Sequence, residues 1–345
     1  MSVQEATACF AVAPGYLDTA SIGVPPEATL EAMREALAAW AAGRARPQDY
    51  DELVAAGRSA FARLVGVQAR DVCVGSQVSA FAGLVAASLP DGARVVAAEG
   101  DFTSILFPFM AQADRGVTVS LVALGDLAGE IDGRTDLAVV SAVQSATGEV
   151  ADLDAIARAA AAHGARTLVD ATQACGWLPI DARRFDYVAC ATYKWLLSPR
   201  GTAFMAIREG SDLVPLAAGW YSAQEPWGST YGGPLRLAGD VRRFDMSPAW
   251  LSWVGTAAAL EYLEDVDTHA HNVGLANALC DGLGLPPSNS AIVSVERPGA
   301  AAALAAAGLR AGGLTDAARI CFHLYNDEDD VDAVLRALSA RGPSS

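Results

Sequence analysis

Apolar positions recur at helical spacing over 27–42 and again over 50–65, directly after the pair Pro25-Pro26. Two amphipathic helices are therefore expected. Pro26 suits the start of the first, and Gly66 suits the residue just past the end of the second. Beyond residue 70 the texture becomes alternating. Short runs rich in β-branched residues lie at 72–74, 94–98, 117–121, 137–143, 167–169, 187–191 and 202–207. Helical windows separate several of them, at 77–88, 103–113 and 153–162, the last preceded by Asp152 as an N-cap. Strand and helix alternating at this spacing predict an α/β fold, a mainly parallel sheet with helices on both faces.

From 214 to 248 the chain is rich in Gly, Pro, Trp and Tyr and shows no sustained period. A loop of that length is expected to serve as a lid or as a contact to another subunit. A helix is expected over 250–266, then strands at 292–295 and 319–323 with helices near 300–307 and 329–340. The expected organisation is an N-terminal arm (1–25), a large domain (26–250) and a small C-terminal α+β domain (251–345).

Composition narrows the function classes. The chain has 345 residues and a hydrophobic fraction of 52%, enough for a large core, and only 19% charged residues. A net charge of −16 argues against nucleic acid or an anionic membrane as a main partner. No basic start followed by an apolar run suggests a signal peptide, and no apolar stretch is long enough to suggest a membrane span. The six cysteines form no CxxC, as expected of reduced thiols in a cytoplasmic protein. His269 and His271 stand two apart on an expected helix and point in different directions, so no metal site is expected there.

One residue stands out against this background. Among 24 lysines and arginines, Lys194 is the only lysine. An ammonium can lose its proton on burial and attack a carbonyl, which a guanidinium cannot do. The expected strand ends carry the chain's unusual polar groups: Ser76-Gln77, Asp101-Phe102, Gln144-Ser145, Asp170 and Gln173, and Thr192-Tyr193-Lys194. Ligands in such sheets bind at the C-terminal strand edges. Neither a Walker loop nor GxGxxG follows any strand. In Thr167-Leu-Val-Asp170 an apolar run ends on a carboxylate, which needs a cation if buried; a protonated pyridine ring supplies one.

Four segments resemble the class V aminotransferase family, the fold-type I enzymes dependent on pyridoxal 5'-phosphate that include cysteine desulfurases, isopenicillin N epimerase-like proteins and kynureninases. Tyr16-Leu-Asp-Thr-Ala20 resembles its YLDxAA start, and Val169-Asp-Ala-Thr-Gln-Ala-Cys-Gly176 its VDxxQxxG. Thr192-Tyr-Lys-Trp-Leu-Leu-Ser-Pro-Arg-Gly201 is similar to its (S/T)xK…GPxG, and 319–332 resembles its C-terminal RxSxHxYNTxEDxD.

The resemblance implies roles for individual residues. Lys194 would bind the cofactor aldehyde and shuttle the Cα proton, and Asp170 would keep the pyridine nitrogen protonated. Gln173 would contact the ring's 3-oxygen, with Ser145 where desulfurases carry asparagine. Phe102 would stack on the ring. Ser76, Gln77, Thr192 and Tyr193 would hold the phosphate, joined by Ser247 reaching across a homodimer. Arg319 would bind the carboxylate of an amino-acid substrate. Arg242, Arg243, Trp220 and Tyr221 lie in the 214–248 region without an assigned role. The reaction expected is transamination, with a desulfurase-like or kynureninase-like lyase or an epimerase as the alternatives. Thr315 stands where one desulfurase branch carries its nucleophilic cysteine.

Overall fold

The computed structural model describes residues 2–264, 266–313 and 317–339. Helices and strands follow in the order α1 (Val3–Thr7), β1 (Tyr16–Leu17), α2 (Glu27–Ala41), α3 (Asp51–Leu64), β2 (Val72–Gly75), α4 (Val78–Ser88), β3 (Arg94–Ala98) and α5 (Thr103–Met110). Next come β4 (Thr118–Val122), α6 (Leu127–Glu130), β5 (Leu137–Ser141), α7 (Leu153–His163), β6 (Arg166–Asp170), β7 (Tyr187–Ala191) and β8 (Ala203–Ile207). The chain ends with α8 (Trp250–Glu264), α9 (His269–Leu283), β9 (Ile292–Val295), α10 (Ala300–Ala306), β10 (Arg310–Ala311), β11 (Ala318–Cys321) and α11 (Glu328–Ser339).

Seven strands form the main sheet, in the order β2-β8-β7-β6-β5-β3-β4. Only β8 is reversed; β7, β6, β5, β3 and β4 pair in parallel. The central strands are buried along their whole length, because both faces are covered. Period-2 alternation divides their side chains between two cores. Ala138, Val140, Val169 and Phe204 meet Phe61 of α3, Ile156 of α7 and Trp253 of α8 on one face. Leu137, Val139, Leu168 and Met205 meet Phe81 of α4 and Ile105 of α5 on the other. Asp152 caps α7 as expected, accepting the Ala155 N–H at 2.8 Å, and Gly66 closes α3 with φ +74°.

The strand expected over 137–143 ends at Ser141. There the chain turns back, with Gln144 N–H donating to Glu149 O at 2.9 Å. The turn lifts residues 142–148 to the sheet's edge. Segment 214–248 carries short 3-10 turns and one antiparallel bridge, Ala223 to Leu237. Its end is pinned to β2: Asp245 accepts from Val74 N–H at 2.9 Å and forms a buried ion pair with Arg58 of α3 at 2.6 Å.

The smaller sheet was only half foreseen. β9 and β11 pair antiparallel, and the Gly312–Arg319 bridge joins them to β10. β10 in turn takes β1 as a parallel partner, so the N-terminal arm becomes part of this sheet, with Leu17 in its core beside Leu279, Ile320 and Phe322. Among the described residues no helix is long and apolar enough to cross a membrane. Thr315 lies outside the described residues.

Candidate active site

Lys194 sits in a tight turn just beyond β7. Leu197 N–H donates to Lys194 O at 3.1 Å, and Leu197 itself takes a left-handed φ of +53°, a strained conformation for a leucine. The arm presses on this turn from the other side. Gly23 N–H donates to Tyr193 O at 2.9 Å, and a Cβ at Gly23 would lie 2.0 Å from Lys194 O, so only glycine lets the two backbones meet.

The turn places Lys194, 7% exposed, in a cavity of about 210 Å³ at the C-terminal ends of the strands. Burial pulls its ammonium down to about 8, while Asp170 holds it up and Arg319 lowers it further. Asp170 closes β6 at the cavity floor. Burial pushes its carboxyl above the usual carboxylate range, opposed by the Thr172 N–H donating at 2.9 Å and by Lys194. For both groups burial outweighs the mutual attraction, raising the carboxyl and lowering the ammonium. A cation placed against Asp170 would favour its carboxylate form.

Phe102 is 52% exposed, so it is not a core residue, and it lines the Lys194 cavity with Lys194 Nζ 5.5 Å from its ring centroid. It leaves a flat aromatic face available for a ring. At the opposite end Ser76 and Gln77 precede α4. Gln77 makes no side-chain cap, so the first N–H groups of the helix are left to an anion. Tyr193 lines the same end, with the Arg200 guanidinium 5.0 Å from its ring centroid.

Gln173 is oriented by its neighbours. Trp195 Nε1 donates to its Oε1 at 2.7 Å, so its Nε2 donates to Ala20 O at 3.0 Å and to Ser145 Oγ at 2.8 Å. Ser145 also takes the guanidinium of Arg319, whose Nη1 donates to Ser145 O at 2.7 Å and Oγ at 3.2 Å. Ser145 and Phe102 line both the Lys194 cavity and a second, larger one of about 970 Å³, whose wall includes Arg319, Asp18 and Ser21. Two chambers therefore meet at Ser145, a lysine in one and an arginine in the other.

The chain belongs to the class V aminotransferase family. Its family profile, described as aminotransferase class-V, matches residues 15–302. An uncharacterized aminotransferase of Bacillus subtilis is 27% identical over 82% of each chain. Isopenicillin N epimerase of Streptomyces clavuligerus is 27% identical over 71% of this chain and 68% of its own. The fold matches the solved structure of the cystine C–S lyase C-DES with a TM-score of 0.84, covering 96% of this chain and 98% of that one at 23% identity.

Pyridoxal 5'-phosphate is the cofactor of this class V chain, and the side chains fit it. The uncapped start of α4 and Arg200 suit the phosphate, Phe102 the ring face, Asp170 the ring nitrogen, and Lys194 the aldehyde.

One expected contact differs. The Thr192 hydroxyl is fully buried and turned from the cavity into a chain with Thr202 Oγ1 (2.6 Å) and Thr256 Oγ1 (2.7 Å from Thr202). Its neighbours Ala191 and Tyr193 do line the cavity. Ser247, expected to act across a homodimer, is exposed and lines neither cavity of its own chain, its Oγ accepting from Trp220 Nε1 at 3.2 Å. Tyr221 is buried and donates to Asp51 at 3.2 Å, while Arg242 pairs with Asp240 at 2.9 Å and Arg243 Nε donates to Ala238 O at 3.0 Å.

The sequence reading gave no role to Arg200 or Asp18, and singled out Asp101 only as a polar group at a strand end. Arg200 directly precedes Gly201 in the turn that follows Lys194, a signal of proximity that was present. Asp101 is buried in the second cavity's wall, accepting the Ser141 N–H at 2.7 Å. Burial pushes its carboxyl up to about 7, against the pull of that N–H.

Proposed function

We propose that the protein is an aminotransferase that exchanges an amino group between an amino acid and a keto acid. The junction at Ser145 carries this reading, because it joins a carboxylate-binding guanidinium to the lysine chamber. When bound, pyridoxal phosphate supplies an aldehyde that condenses with amines and a ring that delocalises charge from Cα. Arg319 grips the substrate carboxylate and fixes the orientation of Cα. Lys194 Nζ, with its lowered proton affinity, removes the Cα proton and returns one. Asp170 keeps a positive charge on the ring nitrogen, and Phe102 covers one ring face against water.

Sulfur transfer to an enzyme thiol is not supported. None of the cysteines lines either cavity. Burial raises the Cys190 thiol well above its ordinary value and pushes Cys321 up to about 11, so neither offers a thiolate. A panel of amino acids incubated with the enzyme, with and without a keto-acid acceptor, tests the reading by mass spectrometry of products. Transamination requires the acceptor. Ammonia, sulfide or alanine released without one assigns the enzyme to the lyases, and an inverted Cα with no other product assigns it to the epimerases.

The proposal includes a homodimer. Ser247 is exposed beside the buried Arg58–Asp245 anchor, and Trp40, Tyr231 and Leu235 are 63%, 93% and 73% exposed. Apolar side chains at that exposure suit a surface covered by a second copy. Sedimentation of the holoenzyme should give twice the chain mass of 35.6 kDa. A monomer that turns over at full rate would remove Ser247 from the site.

A further inference from the structure

The guanidinium of Arg319 is already in use. Its Nη1 donates twice to Ser145, to O and to Oγ. Its Nη2 donates to Ser21 Oγ at 2.7 Å and to Asp18 Oδ1 at 3.2 Å. Nε is buried and has no partner among the described residues. A carboxylate binds a guanidinium through two parallel hydrogen bonds, along the Nε/Nη2 edge or across the two Nη atoms. Both arrangements need Nη2, and Asp18 and Ser21 hold it. The unpartnered Nε lies on that same edge and is buried, so a carboxylate engages the edge only when the groups held by Nη2 give way.

Asp18 is there for electrostatic reasons. The side chains of Arg319 and Asp18 are 13% and 12% exposed, and a guanidinium so far from water needs a counter-charge. The local fold is arranged around the pair. β1 ends one residue before Asp18, and its pairing with β10 brings the arm against Arg319. A Cβ at Gly312 would lie 2.4 Å from Asp18 Oδ1 and 2.8 Å from Arg319 Nη2, so a side chain there would separate them.

We propose that Asp18 is a specificity-determining residue, a resident carboxylate that neutralises Arg319 in the free enzyme and competes with the substrate carboxylate for its Nη2 edge. Binding then exchanges one carboxylate for another on the same guanidinium, and the displaced Asp18 remains close enough to repel the incoming anion. The arm thereby sets an affinity weaker than Arg319 alone would give. This inference rests on the reading of Arg319 as the carboxylate site.

The test measures the dissociation constant of the holoenzyme by the change in its visible spectrum. The probe is the amino acid that gives wild type the largest change. Asp18→Asn removes the charge and keeps the side-chain shape, and should tighten binding about tenfold. Ser21→Ala removes a neutral acceptor from the same Nη2 and should change it less than threefold. Arg319→Ala should weaken binding at least tenfold. Asp18→Ser, which keeps a hydroxyl acceptor without charge, carries the same expectation as Asp18→Asn if the latter does not fold. Unchanged or weaker binding in the folded, neutral Asp18 variants, with Arg319→Ala still impaired, overturns the competition and makes Asp18 a positioning residue. Unchanged binding in Arg319→Ala removes the carboxylate site and this proposal with it.

Discussion

Lys194→Ala should abolish turnover, lowering the rate roughly 10⁴-fold, while leaving the protein folded. The side chain is enclosed by Phe102, Tyr193 and Asp170, and no other lysine exists in the chain to replace it. The backbone contacts of this turn, Leu197 N–H to Lys194 O and Gly23 N–H to Tyr193 O, do not depend on the lysine side chain. Alanine therefore keeps the turn and loses both the nucleophile and the proton carrier. The same lysine gives wild-type apoprotein a specific pH dependence. Only the neutral amine attacks an aldehyde, and burial brings that form within reach near pH 8. The rate of cofactor capture, followed by its absorption, should rise with pH through about 8 and then level off. A rate still climbing steeply at pH 10 would mean an ordinary, solvated lysine.

Asp170→Asn should lower turnover about 10²–10³-fold with a smaller effect on cofactor retention. The carboxylate lies at the buried end of β6, in register beside Ser141 of β5 and Ala189 of β7, and Thr172 N–H holds it in place. Asparagine preserves the shape and the Thr172 contact but cannot stabilise a positive ring nitrogen. The phosphate end, at the start of α4, is separate from this change. Comparing kcat, KM and cofactor dissociation in wild type and variant checks it; an equal loss of cofactor and of rate would make Asp170 a packing residue.

Much of this was legible in the sequence for identifiable physical reasons. Buried strands of a two-sided sheet read as continuous apolar runs, so β5, β6, β7 and β8 stood out, and each polar group that ended a run marked a strand edge. Lys194, Asp170, Gln173 and Phe102 come together because the ends of β3, β6 and β7 converge there. What escaped the sequence depends on pairing at a distance. β1 and β10 are two residues each, too short to show a period, and they are strands only because they pair with each other. Asp18 therefore looked like part of an extended arm, although it is the counter-ion of Arg319. Thr192 was assigned to the phosphate by resemblance, but its hydroxyl is taken up by Thr202.

Every role assigned at this site depends on a covalent attachment of cofactor to Lys194 Nζ. Borohydride reduction of the holoenzyme, proteolysis and mass spectrometry read it directly. The expected result is one modified peptide, spanning Lys194, carrying the mass of a reduced pyridoxyl phosphate group. A colourless protein that takes up no pyridoxal phosphate, or a reduced protein whose Lys194 peptide is unmodified, would contradict it.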